Sequence, residues 1–276
     1  MTYDFNSQSL GLVSVANARE LGGYVLPNGK KIKKGLLLRG GSLAAVSAED
    51  AKALSERYRL ARIFDFRTDM EVRHSPDAQL PGVGNIWLPA IDPESEKLGA
   101  ASLPEEAYRD LVNYLVEKEN AFNPTVQEIA RHIYSEMVLN EYTQLQYAAF
   151  LQMISATPTG AVYWHCSQGK DRTGLGAAFL LAALGADRDL IMADYAISND
   201  FYRKEIAAVT AMLRAKKGPD AEAEKAILTF IGANEEYFEA SLDLIDKKFG
   251  SMESYLKGPL CMTDLEMNRL RSRYLE

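Results

Sequence analysis

Cys166 and Arg172 stand with five residues between them in His165-Cys166-Ser167-Gln168-Gly169-Lys170-Asp171-Arg172-Thr173-Gly174. A thiolate is a strong nucleophile. An arginine presents a planar fork of donors that fits two phosphate oxygens, which a lysine cannot match. The flanking runs say where the pair must sit. Gly160-Ala161-Val162-Tyr163-Trp164 reads as a buried strand, and Leu175 to Leu184 as a helix packed on nearly all sides. The pair therefore falls in the turn between a strand end and a helix N-terminus. Backbone N–H groups converge there, the helix dipole favours an anion, and thiols in such places are acidified. This spacing predicts a cysteine nucleophile attacking phosphorus.

The neighbouring residues take supporting parts. Cys166 is expected to work as a thiolate, stabilised by the helix N-terminus, by Arg172 and by the amides of Ser167, Gln168, Gly169 and Lys170. Arg172 would hold the phosphate and tighten as charge spreads over its equatorial oxygens. Thr173 could donate its hydroxyl to sulfur and ease thiolate departure in a second step. Gly169 and Gly174 allow a tight loop and close backbone approach. His165 is expected to orient the loop by bonding to its backbone.

The decapeptide resembles the phosphate loop of cysteine-dependent protein tyrosine phosphatases, a C-x5-R-T/S core. More narrowly, H-C-x-x-G-K-D-R-T-G is similar to that of the bacterial atypical tyrosine and lipid phosphatases. Three further passages carry the same likeness: Asn17-Ala18-Arg19-Glu20-Leu21-Gly22-Gly23-Tyr24, Asp65-Phe66-Arg67-Thr68 followed by Glu71, and Phe249 to Leu256 near the C-terminus. The decapeptide is highly specific and the other passages moderately so. The resemblance implies a metal-independent phosphatase without cofactor. Its substrates would be phosphotyrosine, phosphoserine or phosphothreonine proteins, or phosphoinositides.

Departure of an alkoxide or phenoxide needs a proton, and a positioned carboxyl contributes roughly 100- to 10,000-fold. The resemblance implies Asp171 for this part. Asp65, at the end of one expected strand, and Asp92, just beyond another, remain alternatives. Asp65 is read first as a partner of Arg67 that braces the site, and Asp92 as a turn residue before Pro93. Lys170 is a second cation beside the pocket and suits a substrate with several phosphates. Its plainer reading is a surface lysine paired with a neighbouring carboxylate.

Composition fits this chemistry. The chain has 276 residues, 47% hydrophobic and 25% charged, enough for a sizeable core. The motifs run through it without a Pro/Gly/Ser-rich break, so one domain over 1–276 is expected, with a helical insertion or lid at about 100–157. A net charge of −7 argues against nucleic acid as a partner. Of the two cysteines, Cys261 is expected to be a small buried hydrophobe. Met1 to Asn6 lacks the segments of a secretory signal, and no apolar run reaches membrane-spanning length, so a cytoplasmic location is expected, with secretion left open as the alternative.

Positioning falls to alternating elements. Strands are expected at 33–39, 60–65 and 85–89 besides the one before Cys166, with a helix starting near Ser47. Further helices are expected at 105–119, 125–139, 141–154, 189–202, 203–216, 221–231, 235–248 and 264–274. Strands separated by helices predict an α/β fold, a mainly parallel central sheet flanked by helices as in the protein tyrosine phosphatases. Ligands bind beyond the strand C-terminal ends in such sheets, where Cys166, Asp65 and Asp92 fall.

Other features have plainer readings. Tyr142, Tyr147 and Phe150 suit helix packing, or a lid. His74 and His132 are isolated, and no cluster has convincing metal spacing. Lys30-Lys31-Ile32-Lys33-Lys34 reads as a solvated turn and edge strand, or else as a weak contact for anionic lipid surfaces. Arg19 and Arg39 could line the pocket or form structural ion pairs. Two other activities remain open: a catalytically silent phosphate-binding module and a rhodanese-like sulfurtransferase. The intact Cys166, Asp171 and Arg172 count against the first, and the five-residue gap with Thr173 counts against the second.

Overall fold

Strand β5, Ala161–His165, is buried at every position and lies at the middle of the sheet. The computed structural model describes residues 8–97 and 124–276. Strands β1 (Arg19–Glu20), β2 (Leu37–Gly40), β3 (Leu60–Asp65), β4 (Gly84–Trp87) and β5 align in the order β1-β2-β5-β3-β4. Only β1 runs antiparallel to its neighbour; the other pairings are parallel. Side chains along β5 alternate between two cores, as a two-residue period requires. Val162 and Trp164 join the larger cluster, and Ala161 and Tyr163 the smaller one.

The register decides where the chemistry goes. His165 at the end of β5 lies opposite Gly40 of β2 and Asp65 of β3. Three parallel strands thus end together at one edge, and the next residue along β5 is Cys166.

Helices cover both faces. Helix α1 (Ala48–Lys52), continued by a wide turn through Arg57 that sends Leu54 into the smaller core, is followed in chain order by α2 (Asp69–His74) and α3 (Pro93–Lys97). Next come α4 (Pro124–Leu139), α5 (Glu141–Ser155) and α6 (Asp171–Leu184), the last buried nearly all round. Phe66 meets Tyr147 and Phe150 edge-on, and Gly176 of α6 admits Phe66, which a Cβ there would meet at 2.9 Å. The rest are α7 (Arg188–Ala196), α8 (Ser198–Phe201), α9 (Arg203–Lys217), α10 (Ala221–Phe230), α11 (Glu235–Phe249), α12 (Met252–Lys257) and α13 (Asp264–Tyr274). Helices α9 and α10 share a small apolar cluster of their own around Leu213 and Ile227.

Several expectations change. Strand β2 begins at Leu37, because Lys31 and Lys33 bond the C-terminal Glu276 and Tyr274 carbonyls and the chain then turns at Gly35 (φ 72°). The expected helix at 189–202 divides at Ile197. The edge strand β1 and helices α2, α3 and α12 are additional. Tyr147, Phe150, Leu151 and Ile154 of α5 are core residues, so this part of the expected insertion is not a lid. Cys261 is exposed rather than buried, because it sits in a left-handed turn (φ 52°) before α13. The expected helix at 105–119 and the N-terminal hexapeptide lie outside the described residues. Among the described residues, no helix is long and apolar enough to cross a membrane.

Candidate active site

Cys166 is the first residue beyond β5 and is buried. From Cys166 to Lys170 the chain turns so that every carbonyl has a donor outside the loop. The Cys166 carbonyl meets His165 Nδ1 at 3.1 Å, that of Ser167 takes the Ser42 N–H, and that of Gln168 takes the Tyr202 hydroxyl at 2.6 Å. The Gly169 carbonyl accepts from Asn17 Nδ2 at 2.8 Å and Arg39 Nη2 at 3.0 Å, and that of Lys170 from Arg39 and from the Gly174 N–H. Peptide units with carbonyls turned out have their N–H groups turned the other way. Among the described residues, the N–H groups of Ser167 to Lys170 donate to no protein acceptor. They and the start of α6 are left open to close a donor ring on an anion, the form of an anion site.

Arg172 opens into the same place. Its Nη1 and Nη2 bond the two carboxylate oxygens of Glu71 at 2.6 and 2.8 Å, and Nη1 also reaches the Phe66 carbonyl at 3.4 Å. A guanidinium has five N–H groups, so Nε–H and one Nη2–H remain, a pair suited to two phosphate oxygens. Burial would push the Glu71 carboxyl up, but Arg172, Ser167 and the Thr68 N–H outweigh it and hold it down at about 2. Glu71 can serve because Thr68 and Glu71 close a capping box on α2, which fixes the glutamate's reach.

Behind the loop, His165 Nε2 lies 2.8 Å from an Asp77 oxygen, and Nδ1 lies 3.8 Å from Asp65. Burial pushes the imidazole down, but Asp65 and Asp77 push harder and leave it raised. Arg67 joins the group, bonding Asp65 at 2.7 Å and Asp77 at 2.9 Å. The ligand atoms of Asp65, Asp77 and His165 lie within 4.8 Å of one another. The Arg67 guanidinium already occupies both carboxylates, so this is a charge-balanced brace rather than a cation cage.

A second brace holds the other side. Arg19 and Arg39 are both fully buried and share Asp194, which Tyr24 also bonds at 2.9 Å. Asn17, in a left-handed conformation at φ 56°, takes one arginine and passes its amide to the loop. Arg39 is therefore a structural partner of the loop carbonyls, and Arg19 reaches the loop only through Asn17. Burial, and then the charge of Arg19, lower Arg39 to about 10.

The carboxylate candidates separate by position. Asp171 is the first residue of α6, partly exposed, and its Oδ1 accepts the hydroxyls of Tyr134 and Tyr195. Asp65 is consumed by Arg67, as the braced reading expects. Asp92 bonds the Glu94 N–H and Asn140 Nδ2, both at 3.0 Å, which makes it the cap of α3. Lys170 departs from the surface reading. Its side chain is buried, and Nζ bonds the carbonyls of Phe230 and Gly232 at 2.7 Å and of Thr229 at 3.3 Å, while Asp171 is 3.9 Å away. Burial lowers its ammonium. With its protons directed to the end of α10, the Lys170 side chain gives no ground for contact with a second phosphate. Among the described residues, the buried Thr173 hydroxyl has no hydrogen-bond partner, the sulfur included.

The model of the tyrosine phosphatase family matches residues 10–276, nearly the whole chain. The chain belongs to the tyrosine phosphatase family. This phosphatase is 30% identical over 267 residues to a protein of Cupriavidus necator named as a tyrosine-protein phosphatase, covering 96% of this chain and 88% of the other. It is 26% identical to the triple specificity protein phosphatase PtpB of Mycobacterium tuberculosis, over 87% of this chain and 91% of that one. Among solved structures it is matched with the core catalytic domain of the PP-IP phosphatase SIW14 of S. cerevisiae in complex with citrate, at 13% identity and a TM-score of 0.30, covering 89% and 98%.

Sequence reasoning about this phosphatase left several residues without a part. Asp77 and Asp194 stand alone in the sequence, and only the fold brings them to His165 and to the buried arginines. Glu71 was in view as part of the motif after Arg67, and its three-residue offset from Thr68 is the signal that could have placed it. Tyr134 and Tyr195 carried no signal beyond aromatic packing.

Proposed function

We propose that this phosphatase hydrolyses phosphomonoesters through a phosphocysteine intermediate, with Cys166 as nucleophile, Arg172 as phosphate clamp and Asp171 as proton donor. In the first step a Cys166 lone pair forms an S–P bond while the bridging P–O bond breaks. The leaving oxygen takes its electron pair and a proton from Asp171. In the second, water attacks phosphorus and gives a proton to Asp171 as the S–P bond breaks and the thiolate departs. The observation that supports this reading is the outward bonding of every carbonyl from Cys166 to Lys170, which leaves the loop N–H groups free to ring a phosphate.

Phosphotyrosine proteins are the first substrate class, in keeping with the family. The relative named for triple specificity supports extending the test to phosphoserine, phosphothreonine and phosphoinositides. The test is phosphate release in EDTA by wild type, Cys166→Ser and Asp171→Asn, with rapid quench of a labelled substrate. Release in EDTA with a labelled, Cys166-dependent enzyme intermediate supports the reading. Phosphate binding without release would mark a silent module, and thiocyanate formed from thiosulfate and cyanide a sulfurtransferase.

A further inference from the structure

Two tyrosines from different helices converge on one oxygen of Asp171. Tyr134 of α4 donates to Oδ1 at 2.5 Å, Tyr195 of α7 donates to the same atom at 3.0 Å, and the two hydroxyls are 2.9 Å apart. Among the described residues, Oδ2 accepts no hydrogen bond; its nearest cation, Lys170 Nζ, is 3.9 Å away and turned to other carbonyls. The Asp171 side chain is 27% exposed, while both tyrosines are buried. Burial, then the charge of Asp171, hold both phenols well above their ordinary 10, so they stay protonated and remain donors.

The rings cannot easily turn away. Tyr195 stacks on Phe238 with centroids 3.8 Å apart and planes 4° from parallel. Gly174 leaves the room for it: a Cβ there would sit 2.9 Å from the Tyr195 ring. The glycine two residues beyond Arg172 thus seats the tyrosine that bonds Asp171.

We infer that Tyr134 and Tyr195 are positioning residues that fix the transferable proton of Asp171 on Oδ2, an inference that rests on Asp171 being the general acid. A neutral carboxyl carries one proton on one oxygen, and its carbonyl oxygen accepts through two lone pairs. With two hydroxyls donating to Oδ1, both lone pairs are taken, so the proton resides on Oδ2. When Oδ2 gives that proton to the bridging oxygen, the new carboxylate keeps its two donors on Oδ1, which stabilises the charge formed. In hydrolysis the water proton returns to the same oxygen. Simple core packing would also bury two tyrosines, but it would make no distinction between leaving groups.

The experiment is kcat/KM across a series running from an activated aryl phosphate to phenyl phosphate and an alkyl phosphate, for wild type, Asp171→Asn and the double variant Tyr134→Phe/Tyr195→Phe. The double variant should lose about tenfold on phenyl phosphate, less than Asp171→Asn, and stay within about twofold on the activated ester. Inhibition by inorganic phosphate should not change. Equal loss on every substrate, or full activity on phenyl phosphate while Asp171→Asn is impaired, overturns the inference and leaves the general acid standing. Asp171→Asn without any leaving-group dependence overturns the general acid and the inference together. Should the double variant not fold, Tyr195→Phe alone carries the test, with a severalfold loss confined to the poor leaving groups.

Discussion

Glu71 grips Arg172 through both terminal nitrogens, at 2.6 and 2.8 Å, and so reserves Nε–H and one Nη2–H for another acceptor. The glutamate aims the phosphate clamp. Glu71→Ala should leave Arg172 buried but free to turn, and misplacement of a binding group by about 1 Å can cost on the order of 100-fold. We expect kcat/KM to fall by about that factor, with inorganic phosphate binding weakened in parallel. Unaltered phosphate affinity in this variant would mean the clamp needs no such aim.

The same pair sets an acid limit on stability. Glu71 is depressed from 4.5 to about 2, so it binds its proton less readily folded than unfolded. Its contribution is present above 4.5 and is lost as pH falls toward about 2. Asp77 and Asp194 are also lowered despite burial, and act in the same direction. Urea unfolding across this window should show wild type losing stability more steeply than Glu71→Gln. Parallel slopes for the two proteins would contradict the assignment.

His165 works in the opposite sense. Its folded imidazole is raised above 6.5, burial being outweighed by Asp65 and Asp77. That contribution is complete below 6.5 and is lost as pH rises through the raised value. Asp77→Asn removes one of the two carboxylates and should draw the His165 titration downward, measured by NMR of the imidazole. An unmoved titration would show that Asp65 alone sets the charge.

How much of this was legible depends on where the information lies. Cys166, Arg172 and the strand and helix around them could be read directly, because an apolar run, a loop and a second apolar run are contiguous in sequence. The parallel sheet followed from alternating strands and helices, although β1, only Arg19–Glu20, is too short for periodicity to reveal. The braces could not be read. Asp194 lies 175 residues from Arg19, and Glu71 lies 101 residues from Arg172. Such pairs are set by the register of strands and the seating of helices, not by local pattern. Lys170 misled for the same reason: a lysine in a polar loop looks solvated until α10 is placed beside it.

Lys170 now has a different expectation. Its ammonium bonds three carbonyls at the end of α10, so Lys170→Met would leave buried acceptors unsatisfied, each costing about 1–3 kcal/mol. The variant should melt at lower temperature. It should also lose similar activity on a phosphotyrosine mimic and on a phosphoinositide, since the side chain faces the scaffold. A loss confined to the phosphoinositide would instead require the lysine to leave its carbonyls and reach substrate.

Gly169 offers the sharpest test of loop geometry. Its φ is +68°, and a Cβ would lie 2.1 Å from the Gly40 carbonyl carbon and 2.5 Å from the Gly41 nitrogen. Those atoms belong to the backbone at the end of β2, so they cannot step aside as a side chain would. Gly169→Ala must therefore push the loop off the sheet edge, breaking the Asn17 and Arg39 bonds to the Gly169 carbonyl and turning the donor ring. Gly250 is the control: its φ is +87°, yet nothing lies within 4 Å of its would-be Cβ. Both alanines pay about 1–2 kcal/mol for the left-handed backbone, but only Gly169→Ala should lose phosphate binding and at least about 100-fold in kcat/KM. Equal activity for the two variants, measured on one activated aryl phosphate, would mean that the outward bonding of the loop carbonyls does not shape the anion site.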